Sequence, residues 1–116
     1  MDGEDPVAIV ERKSLQDLIT GLTDGSLAFQ MADLATYPVT AVAVEARYRD
    51  LFKHEHVSAA FAADLLARHQ VRYPNVPIVF CDARKLAEEW TYRFLGAAMV
   101  ALDETPDTAL SPREPR

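Results

Sequence analysis

Short apolar runs alternate with polar punctuation along this chain. Val7, Ala8, Ile9 and Val10 form a continuous apolar run closed by Glu11, which predicts a buried strand over residues 7–11. Leu15, Leu18, Ile19 and Leu22 then recur at helical spacing behind Ser14, a suitable N-cap, and predict a helix over 15–22. Thr23-Asp24-Gly25 breaks that period. Leu27, Met31 and Leu34 resume it as a second short helix, stopped by Tyr37-Pro38. Residues 39–44 read as a second strand and residues 47–56 as a charged, irregular stretch. A third helix is predicted over 57–71, with Phe61, Leu65 and Leu66 facing inward. Pro74, Asn75 and Pro77 flank a third strand, Ile78-Val79-Phe80. Asp82 is placed to cap a last helix whose Leu86, Trp90, Phe94 and Ala97 form an apolar core stripe, or else a dimer face. From Asp103 onward Pro106, Pro112 and Pro115 among scattered charges predict a disordered tail. There is no internal repeat.

Strands alternating with helices predict an α/β fold, a parallel or mixed sheet with helices packed on it. Crossovers in such sheets are right-handed, and sites form beyond the carboxyl ends of the strands. That end carries the most informative stretch of the sequence, Glu11-Arg12-Lys13-Ser14-Leu15-Gln16-Asp17. On a strand, side chains i and i+2 share a face, so Glu11 and Lys13 project together and Arg12 projects opposite. A carboxylate beside an ammonium can hold a divalent cation and position a water against a phosphate. Glu45 ends the second strand in the same way and Asp82 follows the third, which gathers acids at one end of the sheet. On spacing alone the plainer reading is the commoner one. Ser14 to Asp17 is capping-box-like, with an acid at the positive end of a helix, and charges at element ends are mostly solvated.

At 116 residues and 49% hydrophobic composition the chain is one small domain with a real core. No apolar run is long enough to span a bilayer, and the acidic start lacks the basic and apolar regions of a signal peptide. Cys81 is the single cysteine, so there is no disulfide framework or cysteine metal site, and it reads as a buried, inert thiol. These features suit a reducing cytoplasm. The net charge of −6 argues against tight phosphate-driven binding. Its distribution moderates that. Residues 6–101 carry ten basic and eleven acidic side chains, and the remaining −5 lies in the two ends. Modest, salt-sensitive binding of nucleic acid is the expectation. His54 and His56 flank Glu55 without a second ligand pair nearby and read as surface residues, and His69 reads as structural.

The Glu11-to-Asp17 run resembles the Glu-Arg-Lys-x-x-x-Asp signature of the XPF-type structure-specific endonucleases, members of the restriction-endonuclease-like group. The resemblance continues through Leu18-Ile19, Leu22, Asp24-Gly25-Ser26-Leu27 and Gln30. It goes on through Ala41-Val42-Ala43-Val44-Glu45, Tyr73-Pro74 and Ile78-Val79-Phe80-Cys81 to Ala87-Glu88-Glu89, covering roughly residues 7–101. It implies a restriction-endonuclease-like three-layer core, a mixed sheet with flanking helices, whose first strand or strands are missing from this chain. It places a nuclease domain over residues 1–102 and a tail over 103–116.

The activity it implies is metal-dependent hydrolysis of phosphodiester bonds in branched or flap DNA during repair, or at junctions of single and double strands, by a domain that pairs as a homodimer or heterodimer. The implied roles are Glu11 and Asp17 as ligands of Mg²⁺ or Mn²⁺, Lys13 as the group that orients or activates water, and Arg12 and Gln30 as DNA contacts. The alternative implied is a catalytically incomplete DNA-binding or dimerisation module of the same family. Three departures are plain. The family carries a Gly-Asp dipeptide upstream, and none occurs in Met1-Asp2-Gly3-Glu4-Asp5-Pro6, which reads as a hairpin turn with solvated acids. Ser26 stands where the family often has Arg. No helix-hairpin-helix module follows residue 101.

Overall fold

The structure is a computed structural model that describes residues 7–53 and 58–103. The elements run β1 (Ala8–Lys13), α1 (Leu15–Asp24), α2 (Ser26–Leu34), β2 (Val39–Val44), a 3-10 helix (Tyr48–Lys53), α3 (Ala59–Arg72), β3 (Ile78–Phe80) and α4 (Arg84–Asp103). The described strands form one parallel sheet in the order β1-β2-β3. Both crossovers step in the same direction across the sheet, so right-handedness puts their helices on one face. Val42 and Val44 of β2 join the α1, α2 and α3 side chains Leu18, Ile19, Leu22, Leu27, Met31 and Leu66 in one buried core there. The alternate residues Ala41 and Ala43 are equally buried and face α4, which packs back across β2 and β1. The result is helices, sheet, helix, the layered α/β architecture the sequence predicts. The predicted N-terminal turn, the two histidines of the charged stretch and the tail from residue 104 lie outside the described residues.

The breaks between elements have local causes. Ser14 caps α1, its Oγ accepting from the Asp17 N–H at 3.1 Å. Gly25 takes the left-handed conformation (φ 83°) that ends α1 and starts α2, a backbone only glycine adopts without strain. The Asp24 carboxylate accepts from Ser26 N–H at 2.8 Å across that corner, and this hydrogen bond holds its pKa below the ordinary carboxylate value. Ser14→Ala is expected to cost about 1 kcal/mol through loss of the cap, read as a lower urea midpoint at unchanged m-value.

Four sequence expectations are revised. β1 continues through Arg12 to Lys13, because the register with β2 runs on to Lys13 opposite Val44 and the Glu45 N–H bonds the Lys13 carbonyl at 2.7 Å. Main-chain pairing, which polar side chains do not disturb, carries the strand past its apolar run. The stretch after β2 is ordered as a 3-10 helix because Asp50 Oδ2 accepts from the Arg47 N–H at 2.9 Å and closes the turn. Phe61 is 53% exposed, and Ala62 and Leu66 take the inward positions. On α4 the buried positions are Ala87 and Ala98, while Leu86 is half exposed. Small side chains are buried on both sides of this packing, Ala87 and Ala98 on α4 and Ala41 and Ala43 on β2. The bulky Trp90 and Phe94 stack on each other, with ring centroids 4.8 Å apart, and are only partly buried.

Candidate active site at the end of β1

The strand ends of a parallel sheet open onto the loops that follow them, and β1 delivers Glu11 and Lys13 to that end. Both share the face of Ile9, toward α1. Lys13 is 8% exposed, a degree of burial that an ammonium accepts only with a counter-charge. Glu11 provides it: Lys13 Nζ lies 3.6 Å from Glu11 Oε2. That is an ion-pair distance longer than a hydrogen bond, so the two groups are close yet not locked together. Glu11 is the more exposed of the pair and faces solvent. The arrangement offers an anionic oxygen for a cation or a water proton, and beside it a positive charge shielded from bulk solvent, where it acts more strongly than at the surface.

Arg12 projects to the other face, as the strand period requires. Its guanidinium pairs with Glu88 at 3.2 Å and Glu45 at 3.8 Å, and Arg84 adds a 3.6 Å contact to Glu88. These pairs tie the first turns of α4 to the ends of β1 and β2. Asp17 lies exposed in the first turn of α1, and no ion pair joins it to Lys13 among the described residues; its backbone is engaged in the Ser14 cap. Gln30 is partly buried on α2, and its Oε1 is enclosed without a hydrogen-bond partner among the described residues. It makes no described contact with Glu11 or Lys13. The structure therefore brings Glu11 and Lys13 together and sends Arg12 to the other face, and among the described residues no ion pair or hydrogen bond links Asp17 or Gln30 to the pair.

The other chemistry-bearing residues are accounted for structurally. Asp82 does not cap α4. It holds a left-handed backbone (φ 82°) and turns its carboxylate toward Arg47, 3.8 Å from Nε. His69 Nδ1 lies 2.7 Å from the Leu65 carbonyl of its own helix. Cys81 is only partly buried rather than enclosed, and that desolvation pushes its thiol pKa up, which disfavours the reactive thiolate.

The segment 47–53, part of a stretch whose sequence reads as charged and irregular, sits at the same end of the sheet. Its basic and aromatic side chains interleave as Arg47-Tyr48-Arg49 and Phe52-Lys53, a pattern that could have marked it. The Arg47 N–H, then the Arg47 and Lys53 charges, hold the Asp50 carboxyl below its ordinary pKa. A carboxylate whose pKa is lowered on folding contributes above its unfolded value and loses that contribution as pH falls through the folded value. The turn is therefore expected to loosen only in acid, below about pH 4, and Asp50→Asn to remove the acid dependence, read by amide exchange of residues 47–53.

A family model described as the ERCC4 domain matches residues 1–94 of the chain. Among solved structures, one with a similar fold is XPF from Aeropyrum pernix in complex with DNA, at TM-score 0.51 and 21% sequence identity. The match covers 83% of this chain and 54% of that one, so the chain spans about half the length of that structure. No curated protein matches the chain in sequence.

Proposed function

The chain belongs to the ERCC4 domain family, and from that premise we propose that it is a metal-dependent DNA endonuclease domain that cuts branched or flap DNA at junctions of single and double strands. The observation that carries the reading is the Glu11–Lys13 pair, 3.6 Å apart at the carboxyl end of β1 with Lys13 almost enclosed. The XPF-like fold supports it by placing that pair where open α/β sheets build their sites.

Phosphodiester hydrolysis builds negative charge on the phosphate oxygens. Lys13 lies ready to neutralise it without reorganising. Glu11 would hold the cation, Mg²⁺ or Mn²⁺, on its solvent-facing carboxylate. No three His, Cys, Asp or Glu side chains converge among the described residues. A donor set of one or two carboxylates still fits Mg²⁺, which keeps several waters and takes further ligands from substrate phosphate. When bound, the cation stabilises the phosphate charge and lowers the pKa of water. Asp17, one turn into α1, is the candidate second carboxylate. Arg12 serves the site by tying β1 to the end of β2 through Glu45 and to α4 through Glu88, and Gln30 is the candidate DNA contact on α2.

The sparse donor set favours a second reading, a non-cleaving DNA-binding or dimerisation module of the same family. On α4 the exposed Tyr92, Met99 and Val100 are apolar side chains available to such a module. No helix among the described residues is long and apolar enough to cross a membrane. Turnover separates the two readings. The wild-type chain, incubated with end-labelled flap and plain duplex DNA in Mn²⁺, Mg²⁺ or EDTA, is expected to cut the flap in metal and nothing in EDTA. Binding without cutting in either metal would leave the second reading.

A further inference from the structure

The sheet end that carries Glu11 and Lys13 also carries an aromatic surface with no part in the chemistry above. Leu51 is buried and anchors the 3-10 helix, which leaves Tyr48 50% and Phe52 51% exposed. The Tyr48 ring meets Phe52 edge to face at 5.4 Å and Phe80 at 5.5 Å. Tyr48, Phe80, Ile78, Leu66 and Gln70 line a pocket of about 270 Å³ beside β3. The Gln70 amide is already committed, donating to the Tyr73 and Val76 carbonyls and accepting from the Ile78 N–H. The pocket therefore offers flat apolar and aromatic surface and suits a ring better than a sugar or a phosphate.

Register relates this surface to the catalytic pair. Lys13 lies opposite Val44 and Val44 opposite Phe80, and paired residues of parallel strands face the same side. Two strand spacings put Phe80 roughly 10 Å from Lys13 along that row. The surrounding charge is complementary to a polyanion: Arg47 and Lys53 share Asp50, and exposed Arg49 has no ion-pair partner among the described residues.

We propose that Tyr48, Phe52 and the pocket beside Phe80 form a single-strand binding element that takes an unstacked nucleobase, with Arg49 and Lys53 on the flanking phosphates. A duplex keeps its base faces stacked and cannot offer them to these rings, whereas a single strand can. The element selects the single-stranded arm of the substrate and delivers its phosphates toward Lys13. That delivery rests on the nuclease reading; the binding itself does not.

The test is made in EDTA, so that turnover plays no part. A fluorescent oligothymidine and a duplex of equal length are titrated with wild type, Tyr48→Ala/Phe52→Ala, Arg49→Glu and Phe29→Ala. Phe29 is a more exposed ring (79%) in the larger groove between α2 and the C-terminal half of α3, and serves as the control. The double variant is expected to lose at least about tenfold in single-strand affinity and under about twofold on duplex. Arg49→Glu is expected to weaken both and to lower the salt dependence. Phe29→Ala should change neither. No binding of oligothymidine by wild type, an unchanged single-strand affinity in the double variant, or equal losses on both DNAs would overturn the proposal. Ring-dependent single-strand binding by a chain that cuts nothing would sink the nuclease reading alone. Cutting that ignores both rings would sink this inference alone.

Discussion

Lys13→Met is expected to lower the single-turnover rate of flap cleavage by about 10²–10³-fold, the loss typical when one pre-positioned charge stabiliser of a transition state is removed. Methionine keeps the length of the stem and deletes the charge. Because Lys13 is 8% exposed, an apolar replacement of similar volume costs little stability, and the partly exposed Glu11 left behind stays solvated. The melting temperature is therefore expected to move by only a few degrees. The loss should fall on the rate at saturating protein, with DNA affinity nearly unchanged, since the role proposed for Lys13 is exerted where charge develops in the transition state. Loss of fold and activity together would make Lys13 structural. Loss of affinity alone would make it a phosphate contact.

Leu18→Ala gives the largest expected loss of stability. Leu18 is fully buried in α1, against β2 and α3 in the main core, and truncation there costs about 2–5 kcal/mol. A domain of this size has only about 5–15 kcal/mol in total, so the urea midpoint should fall by a large fraction. Phe61→Ala supplies the contrast. By its spacing Phe61 belongs to the core, yet it is 53% exposed, and its truncation should cost well under 1 kcal/mol. Comparable losses at the two positions would mean that α3 is rotated about its axis relative to the arrangement described.

That contrast marks where sequence reading succeeds and where it stops. β2 and β3 occupy the residues expected, because both are apolar runs bounded by Pro, Asn or charge and little else competes for such segments. α1 and α2 were legible from Ser14 and Gly25, whose cap and left-handed turn are local. The α3 and α4 faces were legible only in part: Leu65 and Leu66 pack in the core as expected, while Phe61 and Leu86 are exposed. A helix with many apolar residues offers more than one stripe, and the choice depends on what the sheet presents. Here Ala87 and Ala98 are the buried positions of α4, Trp90 and Phe94 are partly buried on the same stripe, and Leu86 falls outside it.

At the site, the period-2 rule placed Glu11 beside Lys13 and sent Arg12 to the opposite face. Pairing of Arg12 with Glu88 could not be read, because it joins elements far apart in sequence. Residue type makes Asp82 a cap candidate, but its left-handed backbone and its pairing with Arg47 depend on the neighbouring loop.

The most direct test of the account is a Mn²⁺ titration of single-turnover flap cleavage by wild type and Glu11→Gln. The account predicts no cleavage in EDTA, saturable activation of wild type, and a requirement for at least about tenfold more Mn²⁺ in Glu11→Gln, with a depressed plateau, because one anionic ligand is lost. Cleavage in EDTA, or identical Mn²⁺ dependence in the two proteins, would contradict the assignment of Glu11 and Lys13 as a metal-dependent nuclease centre.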